Sequence, residues 1–353
     1  MESEFKKELL KYDYDLPEEL IAQKPAVPRD MARLLVYKKN TGEVFFDDFF
    51  NIAKYLPKNA VLVFNETKVL PARLELKKET GGKVEILYLQ KRGELIEVLS
   101  DRKLNVGAKL VLNNKIKFEI AGHEEKVYLL KLILAENLSG DKNQAKIESI
   151  LEKYGSAPIP PYIKHSPLSK KELREKYQAI FAKNAGSVAA PTASLHFTKR
   201  VLSKIKKSGI EIKFVTLHVG LGTFATLTEE NLKTKKLHQE FYNIDKKTAE
   251  FLNKAKKEGR TIIAVGTTVV RTLESASKMG QLNNLSGNTG IFISEGYKFD
   301  FINGMVTNFH VPKSSLLMLV ATLIGREKLF ELYRQAIDKK FKFYSFGDGM
   351  LII

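Results

Sequence analysis

Three histidines stand at the ends of short runs, beside Thr, Asn and Gly. His218 closes the 211–219 run and alternates onto one face with Thr216. His310 follows Thr307, Asn308 and Phe309, and His196 follows Pro191, Thr192, Ala193 and Ser194. Imidazole titrates near neutral pH, so each is a candidate proton carrier. Each can equally be a satisfied structural residue. No His-x-x-x-His or matching carboxylate spacing points to a metal site. Val265-Gly266-Thr267-Thr268 reads as a strand, a glycine turn and a helix start, where free N–H groups bind a carboxylate or phosphate. Arg271 and Glu274 follow at i, i+3 and share a helix face. The plainer reading is an ordinary cap and a surface ion pair.

Gly220, Gly222, Thr223 and Ala225 spell G-x-G-x-x-A after a strand, with Glu240 downstream. A dinucleotide site needs a helix to open at the glycines, and the cap here is Thr228, which is too late. Glycines at a strand end still let a ligand approach the backbone. The 65–73 segment carries Asn65, Thr67 and Arg73 and suits a nucleotide or phosphate, or a plain turn. Phe343 to Met350 joins aromatics, including Tyr344 and Phe346, to Asp348, for base stacking or for the core. No P-loop is present, because Gly82-Lys83 is followed by Val84.

The elements that must hold these groups alternate in type. Residues 60–64 form an apolar strand. From 81 to 134, short runs at 83–89, 94–99, 109–112, 115–120 and 126–134 are punctuated by turn residues, as in a small barrel or sandwich. A proline-rich connector at 156–163 leads back. Helix then strand follow at 198–209 and 211–219, helices at 228–236 and 246–258, a strand at 261–265, and a helix at 269–278 closed by Gly280. Asn303-Gly304 predicts a hairpin of 297–302 with 305–310. Residues 314–324 are a buried helix. The fold class expected is α/β: a large barrel-like α/β domain (1–74 and 156–353) with an inserted small all-β barrel (75–155).

The net charge is +17 with a pI near 9.6, which favours a polyanionic partner. There is no cysteine, so thiolate chemistry, Cys-ligated zinc and Cys-held iron–sulfur clusters are absent from this chain. The charged start lacks a signal-peptide core and no apolar run approaches the roughly 20 residues of a membrane span, so a cytoplasmic protein is expected.

Together these segments resemble the S-adenosylmethionine:tRNA ribosyltransferase-isomerases of queuosine biosynthesis. The resemblance is carried by 12–17 (YDYDLP), 20–22, 62–65, 71–73, 160–163 (PPYI), 185–193 (AGSVAAPTA), 195–197, 216–224, 265–275, 306–310 (VTNFH) and 344–350. Ser194 stands where the family has Gly, Phe181 where it has Tyr, and Glu295 where it has Pro. The resemblance implies transfer and isomerisation of the ribosyl part of S-adenosylmethionine onto 7-aminomethyl-7-deazaguanine at the tRNA wobble position. Epoxyqueuosine forms, and adenine and methionine leave. It implies a monomer whose partners are tRNA and S-adenosylmethionine, with no separate cofactor and no membrane. The missing cysteines also exclude the cluster that radical users of this donor need.

On that reading His218 or His310 moves protons, with Arg271 and Glu274 as charged groups of the catalytic set. The Gly266-Thr267-Thr268 start takes the methionine carboxylate or ribose oxygens, with Arg271 as clamp. Thr223, Thr307 and Asn308 hold ribose or base edges. Asn65, Thr67, Arg73, Thr192, His196, Thr216, Gly220, Gly222, Tyr344 and Asp348 complete the candidate substrate contacts, with Tyr344 or Phe346 stacking an unpaired base. Two rivals are a nicotinamide-dependent oxidoreductase built on the Gly220 turn and a non-enzymatic RNA-binding protein.

Overall fold

The computed structural model describes residues 4–134, 147–220 and 227–353. Nine strands form one sheet in the order Ser286–Ile291, Lys236–Asn243, Glu211–Leu217, Val61–Asn65, Ile262–Val265, Gly304–Asn308, Gly349–Ile352, Arg33–Tyr37 and Val44–Asp48. Among the described residues this is a single row of nine strands, the large sheet of the α/β fold expected. The four strands from Glu211–Leu217 to Gly304–Asn308 run parallel to one another.

Val61–Asn65 and Ile262–Val265 are buried at every position, as parallel strands covered on both faces must be. Their side chains alternate between two cores. Val61, Val63, Ile262 and Ala264 face the helices Thr267–Ala276 and Ser315–Ile324. Leu62, Phe64, Ile263 and Val265 face Phe197, Val201 and Ile205 of the opposite layer. Ser314 caps Ser315–Ile324 through Leu317 N–H, as its position before an apolar run predicts.

Six strands between Arg73 and Leu134 close into an antiparallel barrel. Closure leaves no edge to pair with other chains. The helix Ile147–Tyr154 plugs it with Ile147, Ile150 and Leu151. Entry and exit meet where Arg73 and Ser156 exchange backbone hydrogen bonds of 3.1 and 2.9 Å. Gly155 is required at this neck, because a Cβ would run into the Pro71 carbonyl.

The 297–310 hairpin does not form. Only Gly304–Asn308 is a strand, and it pairs with Ile262–Val265 and Gly349–Ile352. The amides of Asp300, Phe301 and Ile302 go to the Glu274 carboxylate at 2.7–3.1 Å, so they are lost to a ladder. Asn303 instead bonds the Ile262 amide with its side chain. The helix expected at 269–278 is Thr267–Ala276, and Gly280 turns a two-residue hairpin after it.

Candidate active site at the carboxyl ends of the parallel strands

The four parallel strands deliver their carboxyl ends to one edge. In sheet order these ends are His218 to Gly220, Asn65 to Thr67, Gly266 to Thr268, and Thr307 to His310. Ligands of open α/β sheets bind at such an edge. Residues far apart in sequence therefore converge by topology alone.

Asn65 is fully buried and ties this edge together. Its amide donates to Leu217 O (2.9 Å) and Thr268 Oγ1 (3.2 Å), and its oxygen accepts from the Thr67 and Leu217 amides. All its capacity is used internally, so it holds the frame and leaves nothing for a ligand. Thr67 Oγ1 lies 2.8 Å from His218 Nδ1. The imidazole stacks on Phe241, with centroids 5.9 Å apart, and Gly186 packs on it. Thr216 accepts from Asn184 Nδ2 at 2.8 Å. Burial pushes the His218 pKa down.

His310 is anchored from three sides. Its Nε2 lies 2.9 Å from Thr307 Oγ1, its amide donates to Tyr333 Oη (2.9 Å), and its carbonyl accepts from Tyr14 Oη. Burial takes the imidazole down to about 4, although the residue keeps some exposed surface. His196 is likewise at about 4 through burial. It stacks on Phe49 at 4.7 Å and meets Asn308 Nδ2 at 3.2 Å. Asn308 also donates to the Tyr344 carbonyl and accepts from Thr192 Oγ1. Proton carriers near pH 7 were expected. These histidines are instead neutral at that pH, which suits a base and not an acid. Two strands separate those of His218 and His310, so their backbones lie about 14 Å apart at ordinary strand spacing.

The Thr267–Ala276 helix has no side-chain cap, and Gly266 before it takes φ +95°, a conformation glycine adopts without strain. Arg271 is buried at 7% exposure and pairs through Nη1 with buried Glu240, whose other oxygen accepts from Gly220 N–H at 2.9 Å. Arg271 Nε and Nη2 have no partner among the described residues. The surface Arg271–Glu274 pair does not exist. Glu274 accepts from three backbone amides and Tyr297 Oη (3.0 Å), which places it in the frame, away from proton transfer.

Asp348, Tyr344 and Phe346 are not brought to a ligand-facing surface. Asp348 accepts from the Arg33 and Lys342 amides at 2.7 Å each, and burial raises its pKa. Tyr344 and Phe346 are 8% and 4% exposed, packed on Tyr162 and Tyr177, so neither ring is open to a base. Arg73 is at the barrel neck, in an ion pair with Glu85, beside a cavity of about 340 Å³ lined with Tyr154, Lys170, Lys171 and Arg174. Gly222 and Thr223 lie outside the described residues. Glu240 and Gly186 are the functional neighbours that local sequence reading underweights. Glu240 enters there only by its distance downstream of the glycines, yet it pairs with Arg271.

The model of the queuosine biosynthesis protein family matches residues 9–352. The chain belongs to that family. Two similar proteins carry the name S-adenosylmethionine:tRNA ribosyltransferase-isomerase. That of Carboxydothermus hydrogenoformans is 46% identical over 346 residues, 97% of this chain and 98% of the relative. That of a Thermoanaerobacter species is 44% identical over 96% and 98%. The solved S-adenosylmethionine tRNA ribosyltransferase of Thermotoga maritima is 31% identical, with a TM-score of 0.55 over 97% of this chain and all of that one. Nothing in the site favours a nicotinamide enzyme. The acid that would hold a ribose is buried against Arg271. No helix among the described residues is long and apolar enough to cross a membrane.

Proposed function

We propose that this chain is an S-adenosylmethionine:tRNA ribosyltransferase-isomerase. It moves the ribosyl part of the donor onto 7-aminomethyl-7-deazaguanine at the wobble position of tRNA and rearranges it to the epoxycyclopentanediol. The carrying observation is the strand-end arc of His218, Thr67, Gly266 and His310, in a chain 46% identical over nearly its whole length to an enzyme of that name.

The sulfonium acidifies the donor's C5′ protons. A neutral imidazole removes one, adenine departs, the aminomethyl nitrogen of the tRNA attacks, and the C5′–sulfur bond breaks to release methionine. His218 and His310 are both uncharged at pH 7, so either can act as base without first losing a proton. With their backbones about 14 Å apart, the two rings serve different protons of an extended substrate pair. Thr67 and Thr307 fix the two rings through the ring nitrogens. The uncapped helix at Thr267 faces the donor's ribose oxygens.

The charge of +17 supports tRNA as the second substrate. The enzyme works as a cytoplasmic monomer, and the donor is consumed as substrate with no other cofactor. The test is incubation with S-adenosylmethionine and an anticodon stem-loop carrying the aminomethyl base. Mass spectrometry should show the RNA gaining the ribosyl-derived group. RNA of unchanged mass after full incubation, with the stem-loop bound, would reduce the protein to an RNA-binding module.

A further inference from the structure

Arg271, expected from the sequence to clamp the donor, is built in a way that fixes which group it takes. Its guanidinium is buried, and Nε and Nη2 have no hydrogen-bond partner among the described residues. Leaving buried charged donors unpaired is costly. These two nitrogens form one edge of the guanidinium, the edge that grips a carboxylate side-on. Arg200 uses the same edge in this protein: Nε and Nη2 hold the two oxygens of Asp30 at 2.5 Å each. In Arg271 the equivalent fork is formed and unfilled.

Position and charge select the guest. Arg271 is one turn inside the uncapped start of Thr267–Ala276, and helical side chains lean toward their own N-terminus. The fork is thus directed toward the strand-end edge, near Gly220. Glu240 fixes it by pairing with Nη1 while accepting from Gly220 N–H. The Arg271–Glu240 pair is neutral as a unit. A phosphate placed there would add uncompensated negative charge. An α-amino acid zwitterion is itself neutral. Its carboxylate matches the fork, and its ammonium matches the lone pairs that the Glu240 carboxylate retains.

We propose that Arg271 receives the carboxylate of the methionine end of S-adenosylmethionine, and that Glu240 is a positioning residue which orients Arg271 and meets the ammonium. This rests on S-adenosylmethionine being the donor. The fork is covered by protein, so the donor reaches it through a local opening.

The test is calorimetric titration of the full chain with S-adenosylmethionine and with its decarboxylated analogue, an unmodified anticodon stem-loop being present so that no turnover occurs. The wild type should prefer the carboxylate-bearing donor by about tenfold or more. Arg271→Lys, which keeps the charge and loses the fork, should bring the two within about twofold. Glu240→Gln should shrink the preference and weaken binding of both ligands. The ratio is internal to each variant, so a partly folded sample does not distort it. Equal affinities in the wild type, or an unchanged ratio in Arg271→Lys, overturn the assignment while leaving the donor in place. No binding of either ligand by the wild type overturns the donor reading itself. If Arg271→Lys does not fold, the guanidinium Nε–H resonances of the wild type decide. A buried resonance that moves with the donor, and not with the decarboxylated analogue, supports the fork. One that moves only with the stem-loop assigns the fork to an RNA phosphate and overturns it.

Discussion

Thr67 and His218, 151 residues apart in the chain, are joined by a 2.8 Å contact between Oγ1 and Nδ1. The contact exists because Val61–Asn65 and Glu211–Leu217 are adjacent parallel strands that end at the same edge. Thr67→Val keeps the shape and removes the hydroxyl, so the ring loses its tautomer and aim. Loss of alignment of this kind costs on the order of a hundredfold in rate. We expect kcat to fall by about tenfold to a hundredfold with little change in donor KM. A change confined to KM would place Thr67 in binding and remove it from the support of His218.

Gly186 tests the same ring from the other side. A Cβ there would stand 2.8 Å from His218 Nε2, and the residue has φ +152°, where side chains are disfavoured. Gly186→Ala should displace the imidazole and lower kcat at least as far as Thr67→Val. Combined with His218→Ala, it should add almost no further loss, because the two act through one group. Full additivity in that pair would break the link.

Glu274 should behave as frame. Glu274→Ala strips acceptors from three backbone amides and Tyr297 Oη. We expect a loss of at least about 3 kcal/mol in urea unfolding, with donor affinity of the folded protein preserved. A stable variant that had lost only kcat would return this carboxylate to the chemistry.

The buried histidines set an acid limit. His196 and His310 fall from 6.5 to about 4 in the folded chain. Between those values only the unfolded chain takes up the protons. Stability is therefore complete above pH 6.5 and is lost as pH falls toward 4, on the order of 3 kcal/mol per histidine. Asp348, with its raised pKa, acts in the opposite sense and offsets part of this. Urea midpoints at pH 7, 6 and 5 should decline steadily, and His196→Gln should show a shallower decline. A midpoint flat across that window would mean that the two rings are solvated.

Much of the edge is legible from the chain because its polar residues sit where apolar runs stop. Asn65, His218 and Gly266 each stand where a strand that periodicity finds stops, and the barrel shows in its short punctuated runs. The misread parts depend on partners far away in sequence. Lys236–Asn243 is largely exposed and carries Lys236, His238, Gln239 and Glu240, so it reads as surface, and only its pairing with two strands makes it sheet. Asn303-Gly304 is a sound turn signal, but the Glu274 carboxylate claims the amides that the hairpin would need. The aromatics at 343–346 carry no mark that separates stacking on a base from stacking on Tyr162 and Tyr177. The near-neutral titration expected of His196 and His310 fails because burial is a property of the fold and not of the residue.

Adenine release under single-turnover conditions tests the account most directly. With S-adenosylmethionine and a stem-loop bearing the aminomethyl base, the wild type should free one adenine per RNA, and neither substrate alone should suffice. The double variant His218→Ala/His310→Ala should bind both substrates and release none at a measurable rate. Wild-type adenine release by that double variant would contradict the assignment of the strand-end histidines as the bases of the reaction.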